Sequence, residues 1–164
     1  MEKELVFRKV NHIILLGLSI LFLVFMSQGY IGDKLLGSVS GYSLISFDGS
    51  NAVSIIDSLS MVVSIILVCF MLITNILALL SDFGVIKVSK IDEIIKKINL
   101  SLCIILLCAV FVTLVCVHFE VSKFNGNDVV LNYKVDWAII LNFIISLIMF
   151  VQGILLYTSK KYFK

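Results

Sequence analysis

Four stretches of this chain lack Asp, Glu, Lys and Arg over lengths that match the hydrocarbon core of a bilayer: residues 12–31, 58–80, 100–117 and 137–157. A helix needs about 20 consecutive apolar residues to cross that core, with a range of roughly 17 to 25. Inside the core no water satisfies the peptide groups, and a helix is the local structure that satisfies them within one segment. The pattern therefore predicts one all-α domain over residues 1–164, a bundle of four transmembrane helices. Two outer loops fall at 32–57 and 118–136, and an inner connector at 81–99. The first run follows Lys3, Arg8 and Lys9 and ends near Ser27 and Gly29, a layout that a secretory signal shares. It is long for a signal's apolar core, so it counts as a span.

Charge in the short flanking segments sets the orientation, because positively charged loops stay in the cytoplasm. Lys3, Arg8, Lys9, Lys87, Lys90, Lys96, Lys97, Lys160, Lys161 and Lys164 fall on the side of the termini, against Lys34, Lys123 and Lys134 on the other. This asymmetry predicts a multi-pass protein of the plasma (cytoplasmic) membrane with both termini in the cytoplasm. Tyr30 and Trp137 then mark the outer boundary, and Tyr157, Tyr162 and Phe163 the inner one.

The inner connector has a helical pattern of its own. Ile91, Ile94, Ile95 and Ile98 share one face, and Lys90, Asp92, Glu93, Lys96 and Lys97 cover the rest. Asp92 to Lys96 and Glu93 to Lys97 are spaced for helical ion pairs. The segment reads as an amphipathic helix that lies on the inner leaflet or leads into the third span. The outer loops instead alternate as strands do. Phe119 and Val121 alternate with Glu120 and Ser122, Asn125-Gly126 supplies a hairpin turn, and Leu131, Tyr133 and Val135 alternate with Asn132 and Lys134. In the first outer loop Tyr42, Leu44, Ile45 and Phe47 lie between Gly41 and Asp48-Gly49. A lone hairpin is marginal in water, so the two loops are expected to form one small extracytoplasmic β-sheet.

Composition agrees with a membrane class: 60% of the residues are hydrophobic and 15% charged, and the mean hydropathy is +1.13. A soluble domain is nearer half apolar and a quarter charged. The net charge of +2 suggests no nucleic-acid partner. Lys outnumbers Arg twelve to one, Pro is absent, and Ile and Asn abound, a bias that AT-rich coding sequences of low-GC bacteria produce. Cys69, Cys103, Cys108 and Cys116 all lie in apolar runs and read as small packing residues.

Membrane enzymes and ion-coupled carriers place titratable groups at depth despite their cost, and the four runs carry none between their ends. His12 and His118 fall at opposite faces and read as interfacial residues, so neither a metal site nor a cofactor is expected. The polar groups inside the runs are Asn75, Asn142 and Gln152 with Ser60, Ser64, Thr74, Thr113 and Ser146. Asn75 and Gln152 fall at similar depth, which predicts an amide to amide bond between the second and fourth spans. Gly17, Ser60, Ser64, Ala109 and Gly153 would let helices approach closely, within the bundle or against another subunit.

Four spans, cytoplasmic termini, a longer first outer loop, a shorter second one and strand patterning in both resemble the claudin-like tetraspan architecture. In claudins the first outer loop carries a Trp and Gly-Leu-Trp pattern followed by a pair of Cys, whereas residues 28–57 contain neither Trp nor Cys. The resemblance therefore implies a shape and not paracellular sealing. The function expected from the residues is that of a non-catalytic membrane interaction protein, such as an accessory subunit, an assembly factor or an immunity-type factor. Its partners would be the lipid bilayer and another membrane protein or further copies of itself. The contact residues expected are Tyr42, Phe47, Phe124, Asn125 and Tyr133. The alternative is an oligomeric pore or transport component.

Overall fold

A computed structural model describes residues 2–33, 37–40, 55–86, 91–125 and 134–162. Four long helices account for most of them: α1 (Glu2–Met26), α2 (Ile55–Asp82), α3 (Ile91–Asn125) and α4 (Trp137–Tyr162). Each contains a stretch long and apolar enough to cross a membrane, namely Lys3–Met26, Ser58–Asp82, Glu93–His118 and Trp137–Ser159. Successive helices pack side by side, and α1 also packs on α4, which closes a four-helix ring. The protein is an all-α, multi-pass membrane bundle.

The burial pattern is that of a fold solvated by lipid. Phe70, Ile73, Phe111 and Val151 are each more than half exposed, and exposed Ile, Leu and Val surround every helix. A water-soluble monomer does not carry so continuous an apolar surface. The inward positions follow a repeat of three and four residues, the spacing of helices packed along a common seam. On α1 the seam is His12, Leu15, Ser19, Phe22 and Met26, and on α2 it is Met61, Ser64, Val68, Met71, Asn75, Ala78 and Asp82. On α3 it is Lys96, Asn99, Cys103, Leu106, Val110, Thr113 and Val117, and on α4 Ile139, Asn142, Ser146, Met149, Gly153 and Leu156.

α2 ends in a backbone cap. Gly84 has φ +76°, Gly84 N donates to the Ser81 carbonyl at 3.0 Å and Val85 N to the Leu80 carbonyl at 2.9 Å. This pair of bonds is the Schellman arrangement, which satisfies carbonyls the helix leaves open and needs a residue at ease in the left-handed region.

One expectation is met here and one changes. Of the two readings of the amphipathic connector, the structure has the helix that leads into the third span: from Ile91 it is the first part of α3. The strand expected at Phe119–Ser122 is also helical, because α3 runs on to Asn125. Extending an existing helix adds one hydrogen bond per residue fixed and needs no new nucleus, so four alternating residues do not redirect it. Asn125-Gly126 is as good a helix stop as a hairpin turn.

Strands do occur elsewhere. β1 (Gly29–Asp33) follows α1 directly, pairs antiparallel with β2 (Gly37–Ser40) and, on its other edge, with β3 (Lys134–Val135), giving the order β2-β1-β3. The first span accordingly ends before its apolar run does, since Gly29 to Ile31 is strand. The β1/β2 register slips between Gly29 and Ile31, and such an irregularity re-aims a side chain. Tyr30, the residue at the slip, is buried. The segment Tyr42 to Gly49 and the residue Tyr133 lie outside the described residues.

Candidate functional site

The seam turns polar at the end of the bundle that carries both termini. Arg8, four residues before His12, continues the α1 stripe, and its guanidinium pairs with the Asp82 carboxylate at the last turn of α2. The Asp82 side chain is 1% exposed and that of Arg8 17%, so the pair is largely withdrawn from solvent. A carboxylate at this depth requires a cation beside it. Lys9, the next residue, sits with its ammonium 4.3 Å above the Phe83 ring, where an exposed aromatic face attracts a cation.

One turn further in, His12, Asn75 and Asn99 bring three helices together. Asn75 Nδ2 donates to the Met71 carbonyl at 2.7 Å, which turns its Oδ1 towards the neighbouring helices. That oxygen accepts from His12 Nδ1 at 2.8 Å and from Asn99 Nδ2 at 3.2 Å. An oxygen only accepts, so the network puts a proton on His12 Nδ1. Asn99 Oδ1 in turn accepts from Thr74 Oγ1 at 2.5 Å. On the remaining side of the ring, buried Lys96 of α3 donates to Ser159 Oγ of α4 at 3.1 Å. The uncharged runs therefore understate the inward-facing stretch of each helix. Arg8, Asp82 and Lys96 belong to helical segments long and apolar enough to cross a membrane. His12, expected at an interface, has its side chain buried inside the bundle at 2% exposed.

The expected Asn75 to Gln152 bond is also absent. Asn75 spends its amide on Met71, His12 and Asn99, while Gln152 Oε1 is buried without a hydrogen bond among the described residues. Gln152 does lie at the right level, since a Cβ on neighbouring Gly153 would come within 3.6 Å of Leu100 Cα, beside Asn99. It stands one position off the α4 seam.

A second polar layer lies towards the sheet. Ser60 and Thr113 hydroxyls bond at 2.7 Å between α2 and α3, and Asn142 Nδ2 donates to the Tyr30 hydroxyl, tying α4 to β1. Ser60 and Ser64 are thus packing residues of the bundle. Gly17 is not, because a Cβ there would meet nothing within 4 Å. Phe124 and Asn125 fall in the last turns of α3 rather than in a hairpin. Between the two polar layers, Leu15, Val68, Met71, Cys103, Leu106 and Met149 are all completely buried. Apolar side chains therefore seal the middle of the seam.

The seam repeat could have revealed Arg8, Asp82 and Lys96 in advance, because each continues the three-four stripe beyond the uncharged run. Counting charges truncates a span at the residue that the stripe still points inward. Among the described residues no three His, Cys, Asp or Glu gather as a metal set. The chain matches no protein-family model, no curated protein and no solved structure.

Proposed function

We propose that the chain is a non-catalytic membrane interaction protein of the accessory, assembly or immunity type. In this reading both termini lie in the cytoplasm, and β2-β1-β3 belongs to a small extracytoplasmic sheet, in the manner of the claudin-like shape. The observation that carries the reading is how the interior polar groups are used. Arg8 with Asp82, His12 and Asn99 with Asn75, Lys96 with Ser159, Ser60 with Thr113 and Tyr30 with Asn142 each join one element to another. Such bonds hold a bundle together at the expense of chemistry on a substrate. The sealed apolar layer between them also disfavours a path through one chain. Recognition is then left to the outer loops and the end of α3, with Tyr42, Phe47, Phe124, Asn125 and Tyr133 as the contact set.

Affinity capture from native membranes in mild detergent tests this. A stoichiometric membrane companion is expected, and it is lost when Tyr42, Phe47 and Tyr133 are changed together to Ala while the bundle's thermal unfolding is unchanged. A reproducible, concentration-dependent conductance of the purified protein in liposomes, with no companion captured, would overturn the reading in favour of an oligomeric pore.

A further inference from the structure

Among the described residues, the exposed large apolar side chains lie on the four spanning stretches with three exceptions, Phe83, Val85 and Ile86. Phe83 is 63% and Val85 70% exposed, the highest values of the set. They follow the last turn of α2, where the cap holds them in a hydrogen-bonded turn. Phe83 N donates to the Leu79 carbonyl at 2.9 Å and Ile86 N to the Leu80 carbonyl at 3.4 Å. The turn prolongs the lipid face of α2, since Ile73, Ile76 and Leu77 are exposed at helical spacing on the turns before it. Ser58–Asp82 has 25 residues, a rise of about 37 Å against a hydrocarbon core of about 30 Å. A turn past the end of that helix therefore sits at headgroup level.

The charge beside the turn is positive. Lys9 of α1 holds its ammonium 4.3 Å above the Phe83 ring, and Lys87 and Lys90 follow Ile86 in the sequence. A ring face attracts a cation without supplying an oxygen, so the ammonium keeps N–H donors for an anionic acceptor. At the end of the bundle that carries the termini, ten Lys and Arg stand against Glu2, Glu4, Asp82, Asp92 and Glu93, and Asp82 already pairs with Arg8. We propose that the turn at residues 83–86 docks an anionic phospholipid of the adjoining leaflet, its phosphate on Lys9 and the top of its acyl chains against Phe83 and Val85. The apolar side chains accept any lipid, and the cation held over the ring selects a negatively charged headgroup over a zwitterionic one. The site lies on the terminus side of the bundle in either orientation of the chain, so it stands apart from the topology proposed above.

Because the chain has one Trp, Phe83→Trp in a Trp137→Phe background reports from the turn alone and keeps an aromatic face for Lys9. The reporter is reconstituted in phosphatidylcholine liposomes with lipids brominated at the ester end of their acyl chains. Brominated phosphatidylglycerol should quench with an association constant at least about fivefold that of brominated phosphatidylcholine, the ratio that one surface cation supplies. Lys9→Gln should lower this preference about fivefold with helical circular dichroism retained, and Lys9→Arg should keep it. Salt at about 1 M, where charges are screened beyond about 3 Å, should abolish the preference in the reporter itself and so tests the contact without altering Lys9. Equal quenching by the two lipids at low salt, or a preference that survives 1 M salt at about its full size, overturns the anionic headgroup. A preference unchanged in folded Lys9→Gln overturns the role of Lys9. Quenching by aqueous iodide with none by brominated lipid overturns the site and leaves the turn to a soluble partner. Protection from both quenchers that is lost on dilution in the membrane would replace the lipid with a second copy of the chain.

Discussion

At the scale of single residues, Asp82 is the most consequential group, because a buried carboxylate depends on one guanidinium. Removing either member of such a pair strands the other, at a cost of about 3–5 kcal/mol, whereas replacing both with apolar residues is often neutral. Asp82→Leu is therefore expected to lower the thermal unfolding temperature in detergent sharply. Arg8→Leu/Asp82→Leu should recover most of the loss, and a double variant as weak as the worse single one would refute the pairing. Asn75 and Gln152 separate in the same assay. Asn75→Leu removes bonds to two helices and should cost about 1–2 kcal/mol. Gln152→Leu should be neutral or mildly stabilising, since its Oε1 makes no bond among the described residues. The two effects should add; strong non-additivity would restore the amide pair that the sequence suggested. Both amides were visible in the sequence as polar residues in apolar runs. Their partners were not, because rotation about each helix axis decides which neighbour an amide meets.

At the scale of elements, the three-four seam explains why residues of unlike chemistry share an environment. Small and polar side chains share the inward face with buried Leu, Met and Phe, while Ile, Leu and Val dominate the lipid face, since apolar residues lose nothing by facing hydrocarbon. Packing of α3 on α4 depends on this economy of size. A Cβ at position 153 would lie 3.2 Å from Cys103 Sγ, and Cys103 is completely buried. Gly153→Ala should thus cost about 1 kcal/mol through overpacking, and Cys103→Ala in that background should return stability. No recovery in detergent unfolding would show that the two helices are not in contact there. The connector illustrates the limit of pattern reading: Ile94 and Ile98 are exposed while Ile95 and Lys96 are buried. Amphipathicity assumes that apolar faces turn inward, and the bilayer reverses that rule for a segment joined to a span.

At the scale of the molecule, the charge asymmetry makes a topological prediction. In a variant with Cys69, Cys103, Cys108 and Cys116 replaced by Ser or Ala, a membrane-impermeant maleimide should label Lys134→Cys on intact cells. Val85→Cys, exposed beyond the cap of α2, should be labelled only after permeabilisation. The opposite pattern would invert the protein and move β2-β1-β3 to the cytoplasm. Four spans were determined by the sequence alone, because backbone satisfaction in hydrocarbon is a property of one segment and needs no partner. The same holds for the end of α2, where Gly84 supplies a local conformation. Tertiary structure decided the rest. Burial of Arg8, His12, Asp82 and Lys96, the sealing layer around Leu106 and the strand partners of Gly29–Asp33 all depend on which surfaces meet. No single segment carries that information.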